Sequence, residues 1–214
     1  LWLQCRFVLL ERHRHDRLAL EVVAGRPILV LPQVLNPKLF RTGEFLAQSL
    51  DARLIPPGAA VLDMGAGSGI GAVAAAQWTS QVVAVDINPA AVRCARINAL
   101  LNRVEERVEV YQGDLFAPVR GRRFDVVLFN PPYLRGTPHN GIEQALWATD
   151  VVERFAADLG DHLAPGGYAL VLLSSVGDTA GFLKTFQAHG FAVAALAERN
   201  LVNEVLTIYR LSFK

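Results

Sequence analysis

Asn130-Pro131-Pro132-Tyr133 directly follows the apolar run DVVLF at 125–129. Neither proline has an N–H to donate, and both have a restricted φ, so this loop presents carbonyls and one side-chain amide in a rigid arrangement. Such a set suits a planar NH2 group that needs two acceptors. The lone pair of an amide or exocyclic amino nitrogen is delocalised into the adjacent π system, which makes the nitrogen a poor nucleophile. Acceptance of its protons by the Asn130 side-chain oxygen and the Pro131 carbonyl would aim that lone pair at an electrophile. The same contacts would favour the positive charge developing on nitrogen. Pro132 and Tyr133 form the surface against which the planar group stacks, with Tyr133 excluding water. His139, in the following stretch LRGTPHNGI (134–142), is expected at the substrate entrance.

A second constellation is Asp63-Met64-Gly65-Ala66-Gly67-Ser68-Gly69, where an apolar strand gives way to a small-residue helix. Glycines at such a junction adopt turns closed to other residues and let the backbone of Gly65, Ala66 and Gly67 approach a ligand. Asp63, at the strand's carboxyl end, is placed to hold an ammonium or an ordered water. The turn alone would fit a dinucleotide enzyme nearly as well. The acids on the next two strands discriminate better. Asp86 ends VVAVD and is placed to accept two hydroxyls of a ribose, with Ile87 covering one face of an adenine. Asp114, in Gly113-Asp114-Leu115-Phe116, is placed to receive the adenine amino group, with Leu115 lining the ring. No Tyr-x-x-x-Lys pattern or positioned His/Asp pair stands in the second half to support hydride transfer.

These residues need a scaffold that delivers strand ends to one crevice. From residue 60 the pattern alternates: strand 60–64, helix 69–77, strand 82–86, a helix from Pro89 to about 101, strands 107–112 and 125–129, a long helix over 143–163, strand 167–174, a helix near 178–189, and strands near 191–197 and 203–211. This predicts an α/β, Rossmann-like, doubly wound seven-stranded sheet, mostly parallel. The last two strands are separated only by residues near 198–200, too few for a crossover helix, so they should form an antiparallel C-terminal hairpin. Upstream, 11–24 reads as an amphipathic helix ended by Gly25 and Pro27, 28–31 as a short strand, and 43–54 as helical. Residues 1–57 thus read as an N-terminal helical extension or cap, and 58–214 as the main domain.

The chain has 214 residues, 52% of them hydrophobic, enough for one sizeable core. Its apolar stretches are too short to span a membrane, and the apolar start followed by ERHRHDR reverses the order of a signal peptide. A net charge of +1 gives no general case for nucleic acid, although residues 1–41 carry seven basic against three acidic residues. Cys5 and Cys94 lack a CxxC spacing, which fits a reducing, cytoplasmic setting. The histidines suggest no metal site.

DMGAGSG at 63–69, VDINP at 85–89, GDLF at 113–116 and FNPPY at 129–133 resemble the successive motifs of class I S-adenosylmethionine-dependent methyltransferases. More narrowly, residues 37–214 resemble the small N5-glutamine methyltransferases that modify release factors. The NPPY signature is shared with N6-adenine and some guanine-N2 enzymes. The resemblance implies S-adenosyl-L-methionine as cofactor and transfer of its sulfonium methyl to the glutamine nitrogen of a Gly-Gly-Gln tripeptide. It implies that Asn130 and the Pro131 carbonyl orient that nitrogen, that Tyr133 packs on it, and that Thr42, after Pro37, approaches the methionine end of the cofactor. Arg41 stands where the family has an acidic residue, and ATDVV at 148–152 lacks the family's paired glycines. The expected partner is a protein substrate, possibly a translation release factor, with an activating subunit allowed for. A small-molecule amine or amide is an alternative acceptor; adenine in nucleic acid is a weaker one, since no basic aromatic block follows residue 58.

Overall fold

The computed structural model describes residues 17–132, 134–135 and 147–213. The chain opens with β1 (Ala19–Val23) and β2 (Arg26–Val30), an antiparallel hairpin. Two short helices follow, α1 (Pro37–Phe40) and α2 (Thr42–Ser49). The alternating part then runs β3 (Ala60–Met64), α3 (Ile70–Ala75), β4 (Gln81–Asp86), α4 (Pro89–Leu101), β5 (Val108–Gln112) and β6 (Phe124–Phe129). A parallel pair of two-residue strands, β7 (Leu134–Arg135) and β8 (Trp147–Ala148), precedes α5 (Val151–His162). The chain continues with β9 (Leu163–Ser174), α6 (Thr179–Ala188), β10 (Phe191–Leu201) and β11 (Glu204–Phe213).

Seven of these strands form one sheet in the order β10-β11-β9-β6-β3-β4-β5. β3, β4, β5, β6 and β9 are parallel, and β11 runs antiparallel between β9 and β10. The expected doubly wound sheet and terminal hairpin are therefore present. Alternate residues of each central strand enter opposite halves of the core. Val61, Val82, Ala84, Val126 and Leu128 pack with α3 and α4, while Leu62, Val83, Val85, Val127 and Phe129 pack with α5 and α6. Burial on both faces explains why these strands read as unbroken apolar runs. Chain order reverses between β3 and β6, and at such a switch the loops leave toward opposite faces and open a crevice beyond the strand ends.

The helix expected over 11–24 is not a helix where it is described. Residues 17 and 18 lead into β1, and 11–16 lie outside the described residues. Ala24 and Gly25 both have positive φ, 49° and 76°, the geometry of a two-residue hairpin turn that β-strands favour. Tertiary bonding completes the hairpin. The Asn98 side chain on α4 accepts from Leu29 N–H at 2.7 Å and donates to Leu29 C=O at 2.7 Å, and Asn102 donates to Pro27 C=O at 2.9 Å. Val23, Ile28 and Val30 then join the core beneath α3 and α4.

Three further expectations shift. The helix placed over 43–54 begins earlier, as two helices joined at Arg41 (φ 60°), and stops at Ser49 because Leu50 is extended. The helix expected over 143–163 begins only at Val151; 147–148 is strand, and 143–146 lie outside the described residues. Residues 198–200, expected as the last connection, belong to β10, and the turn falls at 202–203.

Asn98 is fully buried and its amide also donates to Ser68 C=O at 2.8 Å, so one side chain serves both the hairpin and the glycine turn. Asn98→Leu would remove three hydrogen bonds to backbone groups, a loss of about 3 kcal/mol at roughly 1 kcal/mol per bond, with Leu29 C=O keeping only the Cys94 thiol at 3.1 Å. For a chain of this size that corresponds to a fall in Tm on the order of 10 °C by thermal melting. A melt unchanged within about 2 °C would show that the hairpin does not depend on this side chain.

Candidate functional site

The glycine turn is built from backbone outward. Gly65 and Ala66 N–H both donate to Val85 C=O, at 2.8 and 3.1 Å, which ties the turn to the end of the neighbouring strand. Gly69 has φ 79°, and a Cβ there would lie 2.8 Å from the backbone and side chain of Ala95 on α4. Only glycine lets α3 start so close to α4.

The Asp86 carboxylate grips this turn from β4. One oxygen accepts Gly67 N–H at 2.8 Å and the other accepts Asn88 N–H at 2.8 Å. Burial pushes its pKa above the ordinary aspartate range, with the backbone bonds opposing that shift. A carboxylate has about four acceptor sites, so both oxygens keep capacity for ligand hydroxyls. Asn88 caps α4 by accepting Ala90 N–H at 2.9 Å and donates to Gln33 C=O at 2.9 Å, joining the segment after β2 to the rim of the crevice.

A cavity of about 350 Å³ occupies the crevice. Its lining brings together Thr42, Gly65, Ala66, Gly67, Asp86, Ile87, Asp114, Leu115, Asn130, Pro131 and Pro132, from segments spread over 90 positions of the chain. Ile87 is 51% exposed, an apolar side chain turned toward the cavity it lines. Leu115 holds φ 46°, a conformation costly for a residue with a Cβ, at the turn where β5 meets the cavity. Tyr133 and His139 lie outside the described residues.

Asp63 does not line this cavity. Its side chain turns inward and accepts Ala72 N–H at 2.7 Å, supplying from a strand the partner that the first turn of α3 lacks. A Cβ at Gly71 would stand 2.7 Å from both carboxylate oxygens, so a glycine makes room for them. Asp63 is wholly enclosed, and its pKa is raised to about 7, chiefly by burial, with the nearby Asp86 charge adding to the shift and the Ala72 bond opposing it.

At the opposite wall, Asn130 and Thr42 meet. The Asn130 amide nitrogen donates to the Thr42 hydroxyl at 3.2 Å, across 88 positions of sequence. Asn130 Oδ1 is buried and has no hydrogen-bond partner among the described residues. A buried acceptor without a partner is costly and marks a place where a donor is expected.

Arg154 also lines the cavity and was not singled out from sequence. It lies in the first turn of α5, and its guanidinium pairs with Asp114 across the mouth, a contact that raises the arginine's pKa further. No motif announces it, because its partner is 40 positions away. Gln33 and Val34 are further lining residues without a sequence signal. Among the described residues no group of His, Cys, Asp or Glu could hold a metal ion, and no helix is long and apolar enough to cross a membrane.

Comparison with known proteins matches residues 36–195 to the family described as methyltransferase small domain. A putative protein N5-glutamine methyltransferase of Methanocaldococcus jannaschii is 35% identical over 157 residues, covering 69% of this chain and 78% of that protein. The release factor glutamine methyltransferase of Geobacter sulfurreducens is 31% identical over 206 residues, covering 87% and 70% respectively. Among solved structures, a 16S rRNA N2 G1207 methyltransferase of T. thermophilus, in complex with AdoMet and guanosine, has the same fold with a TM-score of 0.70 at 20% identity. The alignment takes in 92% of this chain and half of that one.

The enclosed Asp63 makes a pH signature. Below about 4 the carboxyl is neutral in both folded and unfolded chains. As pH rises, the unfolded chain ionises first while folded Asp63 keeps its proton, so stability present at low pH is lost until the folded value near 7 is passed. Asp63→Asn, a neutral isostere whose oxygen can still accept the Ala72 N–H, removes that component. Melts of both proteins from about pH 5 to about pH 8 should therefore move in favour of the variant as pH rises. Parallel curves would mean that Asp63 titrates normally.

Proposed function

The chain belongs to the methyltransferase small-domain family, and we propose that it is an S-adenosylmethionine-dependent N-methyltransferase whose acceptor is a protein side-chain amide, such as the glutamine of a release-factor Gly-Gly-Gln motif. The observation that carries this reading is the Asn130 carboxamide, whose nitrogen is engaged by Thr42 while its oxygen is buried and lacks a partner among the described residues. An amide N–H of the acceptor is the donor that this oxygen calls for. The names of the two relatives at 31–35% identity support a protein glutamine as acceptor.

The residues of the cavity fit the cofactor. A volume of about 350 Å³ lies in the range of small-molecule sites. Asp86 takes the ribose hydroxyls on acceptor sites that Gly67 and Asn88 leave unused. The exposed face of Ile87 and the side chain of Leu115 sandwich the adenine, and Asp114, held by Arg154, accepts its amino group. Gly65 brings bare backbone to the ligand, for a Cβ there would meet nothing within 4 Å. Asp63 supports this floor from behind rather than touching the ligand.

Bound S-adenosylmethionine supplies a methyl group already activated on sulfonium, so no covalent enzyme intermediate is needed. The protein's part is placement. Asn130 Oδ1 and the Pro131 carbonyl accept the two protons of the acceptor NH2 and turn its lone pair toward the methyl. The nitrogen–carbon bond forms as the carbon–sulfur bond breaks, and the extra proton on nitrogen leaves to solvent. As positive charge grows on nitrogen, the two acceptors bind more tightly, which lowers the barrier. The sequence motif assigns Tyr133, with Pro132, to stacking on the amide plane of the acceptor, and His139 to substrate contact. The enclosed thiol of Cys94 suits a reducing compartment such as the cytoplasm.

Tritiated methyl transfer tests the reading, with a release factor carrying Gly-Gly-Gln, adenine-containing nucleic acid and a metabolite extract offered in parallel. The release factor should be labelled, and Asn130→Ala should reduce its labelling by about 100-fold or more. Label confined to nucleic acid or metabolites would overturn the acceptor while leaving the cofactor site intact.

A further inference from the structure

We infer that Thr42 is a positioning residue for the reaction: its hydroxyl anchors the Asn130 carboxamide by the amide nitrogen and so fixes the oxygen that receives the methyl acceptor. The inference rests on the methyl-transfer reading above and goes beyond the contact with the cofactor that the family resemblance assigns to Thr42.

A carboxamide has two ends of equal size and opposite hydrogen-bonding sense. With the oxygen outward, Asn130 receives an acceptor N–H; with the nitrogen outward, two N–H groups would face another NH2, and neither could pair. In the structure the nitrogen end is the one that meets Thr42, at 3.2 Å, and the oxygen is left for an acceptor N–H. Thr42 is 1% exposed, so bulk water does not compete freely for that bond.

The element carrying Thr42 is itself braced. It stands first in α2, and a Cβ at the next residue, Gly43, would lie 3.0 Å from Pro37 and 3.3 Å from Ile70 of α3. Further along α2, Arg199 of β10 stacks its guanidinium over the Phe45 ring at 4.5 Å and donates to Gln48 at 2.8 Å. Lys38 of α1 pairs with Glu44 at 2.6 Å. The hydroxyl is thus fixed from the sheet edge, from α1 and from α3, and β6 brings Asn130 to it.

Thr42→Val keeps the shape and removes the hydroxyl; Thr42→Ser keeps the hydroxyl. In the valine variant, kcat for the amide acceptor should fall by about 10- to 100-fold, a larger change than any rise in the Kd for S-adenosylhomocysteine. The serine variant should recover kcat to within about threefold of wild type. Unchanged kcat in the valine variant, failure of serine to rescue, or a loss confined to cofactor affinity would overturn the inference. Side-chain NH2 exchange of 15N-asparagine-labelled protein gives a readout independent of any acceptor. The Asn130 signal, identified by its absence from Asn130→Asp, should exchange slowly in wild type and fast in the valine variant. Slow exchange retained without the hydroxyl would reject the positioning role even if no methyl acceptor were found. Conversely, wild-type protein that protects this amide but labels no acceptor would set aside the methyl-transfer reading alone.

Discussion

Asp86 receives a backbone N–H on each of its two oxygens, one from Gly67 in the turn after β3 and one from Asn88 just beyond β4. Much of the remaining architecture follows from that double acceptance. It fixes the glycine turn against the end of β4, and it sets Asn88 to cap α4 and to reach across to Gln33. α4, so placed, carries Asn98 to the hairpin and to Ser68. A closed circuit of hydrogen bonds between side chains and backbone therefore surrounds one side of the crevice.

The other side of the crevice is built differently. There the parts are a proline loop, a helix braced from three directions and one amide whose oxygen has no partner among the described residues. An uncompensated acceptor in an enclosed place raises the energy of the free protein. That cost is the reverse side of orientation: a group already satisfied by its own protein would have nothing to offer an incoming N–H. The two sides divide the work between holding a ligand and aiming at one.

Legibility in the sequence followed the same division. β3, β4 and β6 were readable because both faces are buried, which leaves short apolar runs bounded by glycine or proline. The helix from Pro89 was readable because proline and the preceding asparagine mark its start. Thr42, Asp86, Asp114 and Asn130 were found from motif position, and the structure gathers them at one cavity. What escaped was direction and pairing. LALEVV fits a helical period as well as an alternating one; it is held as strand by pairing with β2, which is fixed in turn by Asn98, 69 positions beyond Leu29. Asp63 could be seen to end a strand, but not that it turns inward beneath Gly71. Arg154 gained its place by an ion pair with Asp114 that no local pattern encodes.

The placement of β11 has a consequence for how such a chain is made. Its residues are the last to be synthesised among the strands, yet β11 lies between β9 and β10 and gives each of them a neighbour. Until residues 204–213 have left the ribosome, the β9 edge stays open and β10 has nothing to pair with. The sheet can assemble from β5 to β9 during translation, but its last third must wait and dock as a unit. During that interval the nascent protein presents an unpaired, strongly apolar edge, YALVLLS, which is where chaperones would find it and where neighbouring nascent chains could join it.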